Sequence, residues 1–128
     1  MLHLGEGRWF IIDSCLCPST KQPIALNYLR SIGVDVSQQV VGILITHWHS
    51  DHIEGASALL KACSNAKLYC SIALLKKEAF QLVALYKKDI FTDTDEDIRE
   101  FKEIIEFLSE TKDRNRFELV KNRHTFFD

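Results

Sequence analysis

An uncharged, mostly β-branched run from Val40 to Ile45 reads as a buried strand, and Thr46 ends it. Beyond it, Ile53, Ala56, Leu60 and Cys63 recur at helical spacing and predict an amphipathic helix opening at about Ile53. Upstream, Leu2-His3-Leu4 and the stretch from Arg8 to Asp13 predict two strands joined by the turn Gly5-Glu6-Gly7, with His3 on the polar face. Pro18 and its hydroxyl neighbours make Cys15 to Gln22 a loop. Pro23 suits the first turn of a helix through about Ile32, where Gly33 stops it and Val34 to Gln39 leads into the central strand. Strand, helix, strand in that order predicts a parallel pair with a right-handed crossover.

Past the central helix, which ends near Ser64-Asn65, Lys67 to Cys70 reads as a short strand. Ser71 opens a helix with Leu75, Ala79, Leu82 and Tyr86 along one face. Thr94 and Asp97 resemble a capping pair for a further helix bearing Ile98, Phe101, Ile105 and Leu108. The acids Asp95, Glu96 and Asp97 suit the amide-rich start of that helix better than they suit a metal. Arg116 to Val120 alternates as a last strand. The order of elements is that of an α/β protein, and 128 residues make one domain.

Composition narrows the partners. With 46% hydrophobic and 27% charged residues the chain has the balance of a soluble fold, and a net charge of −2 gives no general attraction to nucleic acid or to an anionic membrane. The amino terminus lacks the basic start and long apolar run of an export signal, and no apolar stretch is long enough to span a membrane, so a cytoplasmic location is expected. Cys15, Cys17, Cys63 and Cys70 have no paired Cys-x-x-Cys spacing and read as reduced thiols. Cys15 and Cys17 follow Asp13 closely enough to come near a site at the strand end. The simpler reading is that they fill space.

The chemistry is concentrated just after the central strand. His47, His49, Asp51 and His52 leave it on a short loop, at a strand's carboxyl end, where open α/β sheets place their sites. Imidazole and carboxylate suit Zn²⁺, with Mn²⁺ or Fe²⁺ as alternatives. Spacing of two lets His47 and His49 share one ion while Asp51 and His52 diverge toward a second, the pairing that clamps attacking and leaving oxygens in hydrolysis. All four side chains are therefore expected to converge at the mouth of the strand. The bland alternative is a polar loop whose imidazoles bond only to backbone.

His47-Trp48-His49-Ser50-Asp51-His52, followed by Ile53-Glu54-Gly55, resembles the signature of the metallo-β-lactamase-fold superfamily, and Trp9 to Ser14 resembles its strand ending in aspartate. The resemblance covers about Arg8 to Ser71. It implies half of an αββα sandwich, a mixed sheet with helices on one face, with the metal loop at 46–55. It also implies a hydrolase in which a metal-activated water cleaves an ester or phosphodiester. The metal ligands would be His47, His49, Asp51 and His52, holding two zinc ions in a complete domain, with Asp51 also catalytic and Asp13 positioning the loop. Substrates would be small-molecule or nucleic-acid esters. The family takes further ligands from its second half, whereas this sequence offers only His124 and the last residue, Asp128. The chain is thus expected to be an incomplete domain that needs a carboxyl-terminal half or a second copy, with one sheet face uncovered. A non-catalytic interaction module that keeps the loop is the competing reading.

Overall fold

A computed structural model describes residues 1–47, 49–71, 96–111, 114–120 and 124–126. The helix expected from Ser71 with its Leu75 to Tyr86 stripe, the Thr94 cap and Asp128 lie outside the described residues.

Strands β1 (Leu2–Gly5) and β2 (Arg8–Ile12) form an antiparallel pair around the turn at Glu6 and Gly7. The chain then passes through α1 (Ile24–Ser31) and α2 (Val36–Gln39) into β3 (Val40–Ile45), which pairs parallel with β2. Two further strands, β4 (Lys67–Ser71) and β5 (Phe117–Val120), extend the parallel set, so the sheet is mixed, in the order β1-β2-β3-β4-β5. Between β3 and β4 lie α3 (Ser50–Ile53) and α4 (Ala56–Ala62), and between β4 and β5 lies α5 (Glu96–Glu110) with a short 3-10 turn at Arg114–Arg116.

The strands at both ends of the chain, the parallel pair and the central strand fall where the periodicity placed them. Two local features differ. Val36–Gln39, read only as the lead into the central strand, forms a short helix, because Asp35 accepts a hydrogen bond from the Ser37 N–H (3.0 Å) and caps a turn there. The helix expected from Ile53 is two helices, parted at Gly55, whose φ of +82° suits glycine. A Cβ at Gly55 would also lie 2.5 Å from Leu16 and 3.1 Å from Pro23, so the glycine lets the metal loop pack onto the Cys15 to Pro23 segment.

The main core fills one sheet face, where Ile11, Ile43, Ile45 and Leu68 meet Leu29 of α1, Leu59 and Leu60 of α4 and Ile104 of α5. Arg116 closes this layer by donating to the carbonyls of Leu60 (2.8 Å), Cys63 (2.7 Å) and Ala66 (2.9 Å), which satisfies the end of α4 with a favourable positive charge. The opposite face is less bare than expected. Phe10, Tyr69 and Val120 are buried there, and Phe126 sets its ring edge-on to Phe10 and Tyr69 at 5.4 and 5.0 Å. Leu2 and Ile12 stay exposed.

Gly42 makes this second layer possible, since a Cβ there would run into the Phe10 ring and lie 3.2 Å from Tyr69. Gly42→Ala is expected to cost about 1–3 kcal/mol through overpacking, seen as a lower urea midpoint at unchanged slope. An unshifted midpoint would mean that Phe10 is free to swing aside.

Candidate metal centre

Asp13 organises the carboxyl ends of β2 and β3. Its backbone N–H still donates to Leu44 (2.8 Å), in keeping with the parallel ladder, but its φ is +57°, a left-handed conformation that aspartate tolerates better than most residues. Oδ1 accepts from the Thr46 N–H at 2.7 Å, the Thr46 hydroxyl lies 2.9 and 2.7 Å from the two carboxylate oxygens, and Nδ1 of His52 lies 3.0 Å from Oδ2. Ser14 adds two more ties, its N–H donating to the His52 carbonyl and its buried hydroxyl to the Glu54 carbonyl, each at 2.7 Å. The loop is therefore held at its start, its middle and its end by two consecutive residues.

These bonds set the protonation of the rings. Burial works to raise the Asp13 pKa, but the hydrogen bonds from Thr46 and His52 and the His52 charge outweigh it, so the carboxyl stays below its usual value and ionised. An ionised carboxylate only accepts, so Nδ1 of His52 carries the proton and Nε2 is left with its lone pair in the neutral ring. The same reasoning reaches His47. The Thr46 hydroxyl gives its one proton to Asp13, so toward His47 Nδ1, 2.9 Å away, it accepts. His47 then also presents Nε2.

The His47 and His52 rings lie 5.2 Å apart, and Oδ2 of the exposed Asp51 is 3.6 Å from Nε2 of His52. His49 is exposed, and its carbonyl accepts from the N–H groups of His52 (2.8 Å) and Ile53 (3.0 Å), starting the single turn of α3. Among the described residues no three His, Cys, Asp or Glu side chains come together as a ready-made ion site. The structure thus brings His47, His52 and Asp51 into one neighbourhood, and the His49 carbonyl starts the turn that carries Asp51 and His52. In donor type and tautomer the group fits a divalent ion: two imidazoles with Nδ1 engaged and Nε2 free, one of them carboxylate-backed, beside an exposed carboxylate.

His124 pairs with Glu118 at 3.5 Å and packs against Tyr69 and Phe126. Cys15 is exposed and Cys17 half-buried, so neither fills a core, and hydrogen bonds from Ser19 and Thr20 lower the Cys17 thiol to about 6. Cys63 and Cys70 do fill space, and burial raises them to about 11 and about 12. Two residues escaped sequence reasoning as parts of the site. Thr46 reads only as a strand end and Ser14 only as a neighbour of Asp13, because each acts through a loop far away in sequence.

A mixed α/β sheet carrying a histidine and aspartate loop at its strand ends is a frame suited to a metal site. The metallo-beta-lactamase superfamily pattern matches residues 1–116, and the chain belongs to that family. A UPF0173 metal-dependent hydrolase of Metallosphaera sedula is 37% identical over 71 residues, which is 56% of this chain and 28% of that protein. The aligned stretch therefore covers under a third of the relative's length.

The Asp13 and His52 pair dictates a pH dependence. His52 is raised above its ordinary 6.5, chiefly by the Asp13 hydrogen bond, so its contribution is complete below that value and is lost as pH climbs through the folded pKa. Asp13 is lowered from 3.8, so its contribution is complete above that value and is lost as pH falls through the folded pKa. In chelator-treated protein the stability difference between the parent chain and Asp13→Asn should accordingly be largest between 3.8 and 6.5 and shrink on both sides. NMR titration should also show His52 falling toward its ordinary pKa in the variant. A flat difference across pH would remove the ion pair from the account.

Proposed function

We propose that this chain supplies the metal loop of a metal-dependent hydrolase that cleaves an ester or phosphodiester. His47 and His49 would hold one divalent ion and Asp51 and His52 a second, with zinc the first choice and manganese or iron as alternatives. When bound, such ions supply Lewis-acid polarisation of the substrate and lower the pKa of a water. The residues divide the remaining work. Asp13 fixes the His52 ring and keeps its Nε2 available, Thr46 does the same for His47, and Asp51, which is exposed, would exchange a proton with water. The observation that carries this reading is the Asp13 carboxylate holding Nδ1 of His52, since a carboxylate behind an imidazole is the usual support of a metal ligand.

Four donors are fewer than two ions need, and we place the remainder in a carboxyl-terminal half or in a second copy of the chain. The four unpaired thiols fit a reducing, cytoplasmic setting, and no helix among the described residues is long and apolar enough to cross a membrane. Small-molecule and nucleic-acid esters are the substrate classes that fit the chemistry. The exposure of His47, His49 and Asp51 would equally serve a second reading, an interaction module without catalysis.

Calorimetry and NMR with zinc on the purified chain separate the two. The hydrolase reading expects weak uptake of divalent ion that perturbs the His47 and His52 ring signals together, is diminished by Asp51→Asn, and brings little turnover of a phosphodiester. Adding the complementary half should raise both affinity and turnover. No uptake at millimolar zinc would favour the interaction module. Brisk turnover by the 128-residue chain alone, lost on His49→Ala, would require that His124, Asp128 or a second copy completes the site.

A further inference from the structure

The segment between β2 and α1 carries two thiols that neither the core nor the metal loop uses. Cys15, Leu16 and Cys17 form an extended stretch, held on both sides of an antiparallel bridge between Leu16 and Pro23. The Cys17 N–H donates to the Gln22 carbonyl at 2.8 Å, and the Ile24 N–H donates to the Cys15 carbonyl at 2.9 Å. Side chains alternate along extended backbone, so Leu16 turns to one side and both cysteines turn to the other. Leu16 faces the metal loop, where its Cδ2 lies 2.5 Å from the place a Cβ on Gly55 would take. On the other side the two thiols are accessible, Cys15 exposed and Cys17 half-buried.

We propose that Cys15 and Cys17 form a reversible thiol pair that closes to a disulfide on reaction with a small-molecule disulfide such as oxidised glutathione, and that closure disturbs the seat of the metal loop on Leu16. Cys17 reacts first. Its sulfur lies 3.2 Å from the Ser19 hydroxyl, and the hydrogen bonds of Ser19 and Thr20 that hold the thiol at about 6 keep it largely as thiolate at neutral pH. The thiolate attacks one sulfur of the reagent, forms a mixed disulfide on Cys17 and releases one glutathione thiolate, which takes up a proton. Cys15 then loses its proton and attacks the Cys17 sulfur, displacing the second glutathione thiolate, which is protonated in turn. Two electrons and two protons pass from the pair to the reagent, leaving one protein disulfide and two free glutathiones.

The backbone makes this closure mechanically active. Residues two apart on extended chain stand about 6.4–6.8 Å apart at Cα, whereas a disulfide is commonly satisfied at about 5.5–6 Å. Closing the pair therefore shortens the chain at Leu16 and works against its bridge to Pro23. The change reaches the metal loop by two routes. Leu16 and Pro23 both pack on Gly55, and Ser14, the residue before Cys15, holds the carbonyls of His52 and Glu54. A disulfide closed against its backbone is also readily reduced, which suits a transient signal in a reducing compartment. The coupling runs to the frame of the loop and needs no bound ion.

Mass spectrometry and NMR on the full chain treated with oxidised glutathione test the proposal, with circular dichroism to confirm that each variant is folded. Trypsin releases both cysteines in one peptide, Trp9 to Lys21. In the parent chain that peptide should lose two hydrogens and regain them with a dithiol. Cys15→Ser should stop at a single glutathione on Cys17, and Cys17→Ser should form no closed pair. Buried Cys63 and Cys70 should stay unmodified throughout. On closure the Gly55 amide and His52 ring signals should shift, and they should return on reduction. A parent chain that does not react, or that keeps glutathione on Cys17 without closing, would overturn the pair. Closure that leaves the Gly55 and His52 signals in place would overturn its link to the metal loop.

Discussion

One carboxylate ties the sheet to the loop. Asp13 stands where β2 ends, takes a backbone shape that turns its side chain across to β3, and there receives the first amide and hydroxyl after that strand together with the ring of His52. Its placement depends on the parallel pairing of β2 and β3, which sets Ile12 beside Leu44 and so brings Asp13 level with the end of the central strand. Strand register is thereby converted into the position of an imidazole ring. A shift of one residue would turn the carboxylate to the other side of the sheet and leave Thr46 and His52 without their acceptor.

The same carboxylate decides what the rings can do. In its ionised state it accepts hydrogen bonds from the Thr46 hydroxyl and from Nδ1–H of His52, and the Thr46 hydroxyl, its proton so engaged, accepts toward His47. Two imidazoles five positions apart in the chain thus present the same nitrogen. Charge, rather than packing, makes them a matched pair, and a neutral isostere at position 13 would retain the shape while freeing both tautomers.

The sheet was largely legible in the sequence, and the reason is physical: Val40 to Ile45, Arg8 to Ile12 and Lys67 to Ser71 are strands whose burial on the core side demands a recognisable pattern. The break at Gly55 was not legible. Ile53, Ala56, Leu60 and Cys63 keep helical spacing across it and are all buried, so the periodicity continues although the backbone does not. The position of Asp13 was legible through the resemblance to a family. The roles of Thr46 and Ser14 were not, since hydrogen bonds between segments about forty residues apart leave no trace in local pattern. Phe126 shows the same limit, because a side chain that covers a distant sheet face looks in sequence like part of a short aromatic tail.

The hydrogen bonds that Asp13 and Ser14 make to Thr46, His52 and Glu54 all lie within residues 13 to 54, and α4 behind the loop is met by Glu100 and Glu103 of α5 through Ser57. During synthesis the chain emerges amino end first, at several residues per second. The partners Asp13, Ser14, Thr46, His52 and Glu54 are therefore all made before β5. The frame that positions the imidazole rings and the strand that ends the sheet are consequently supplied at different times, the frame first.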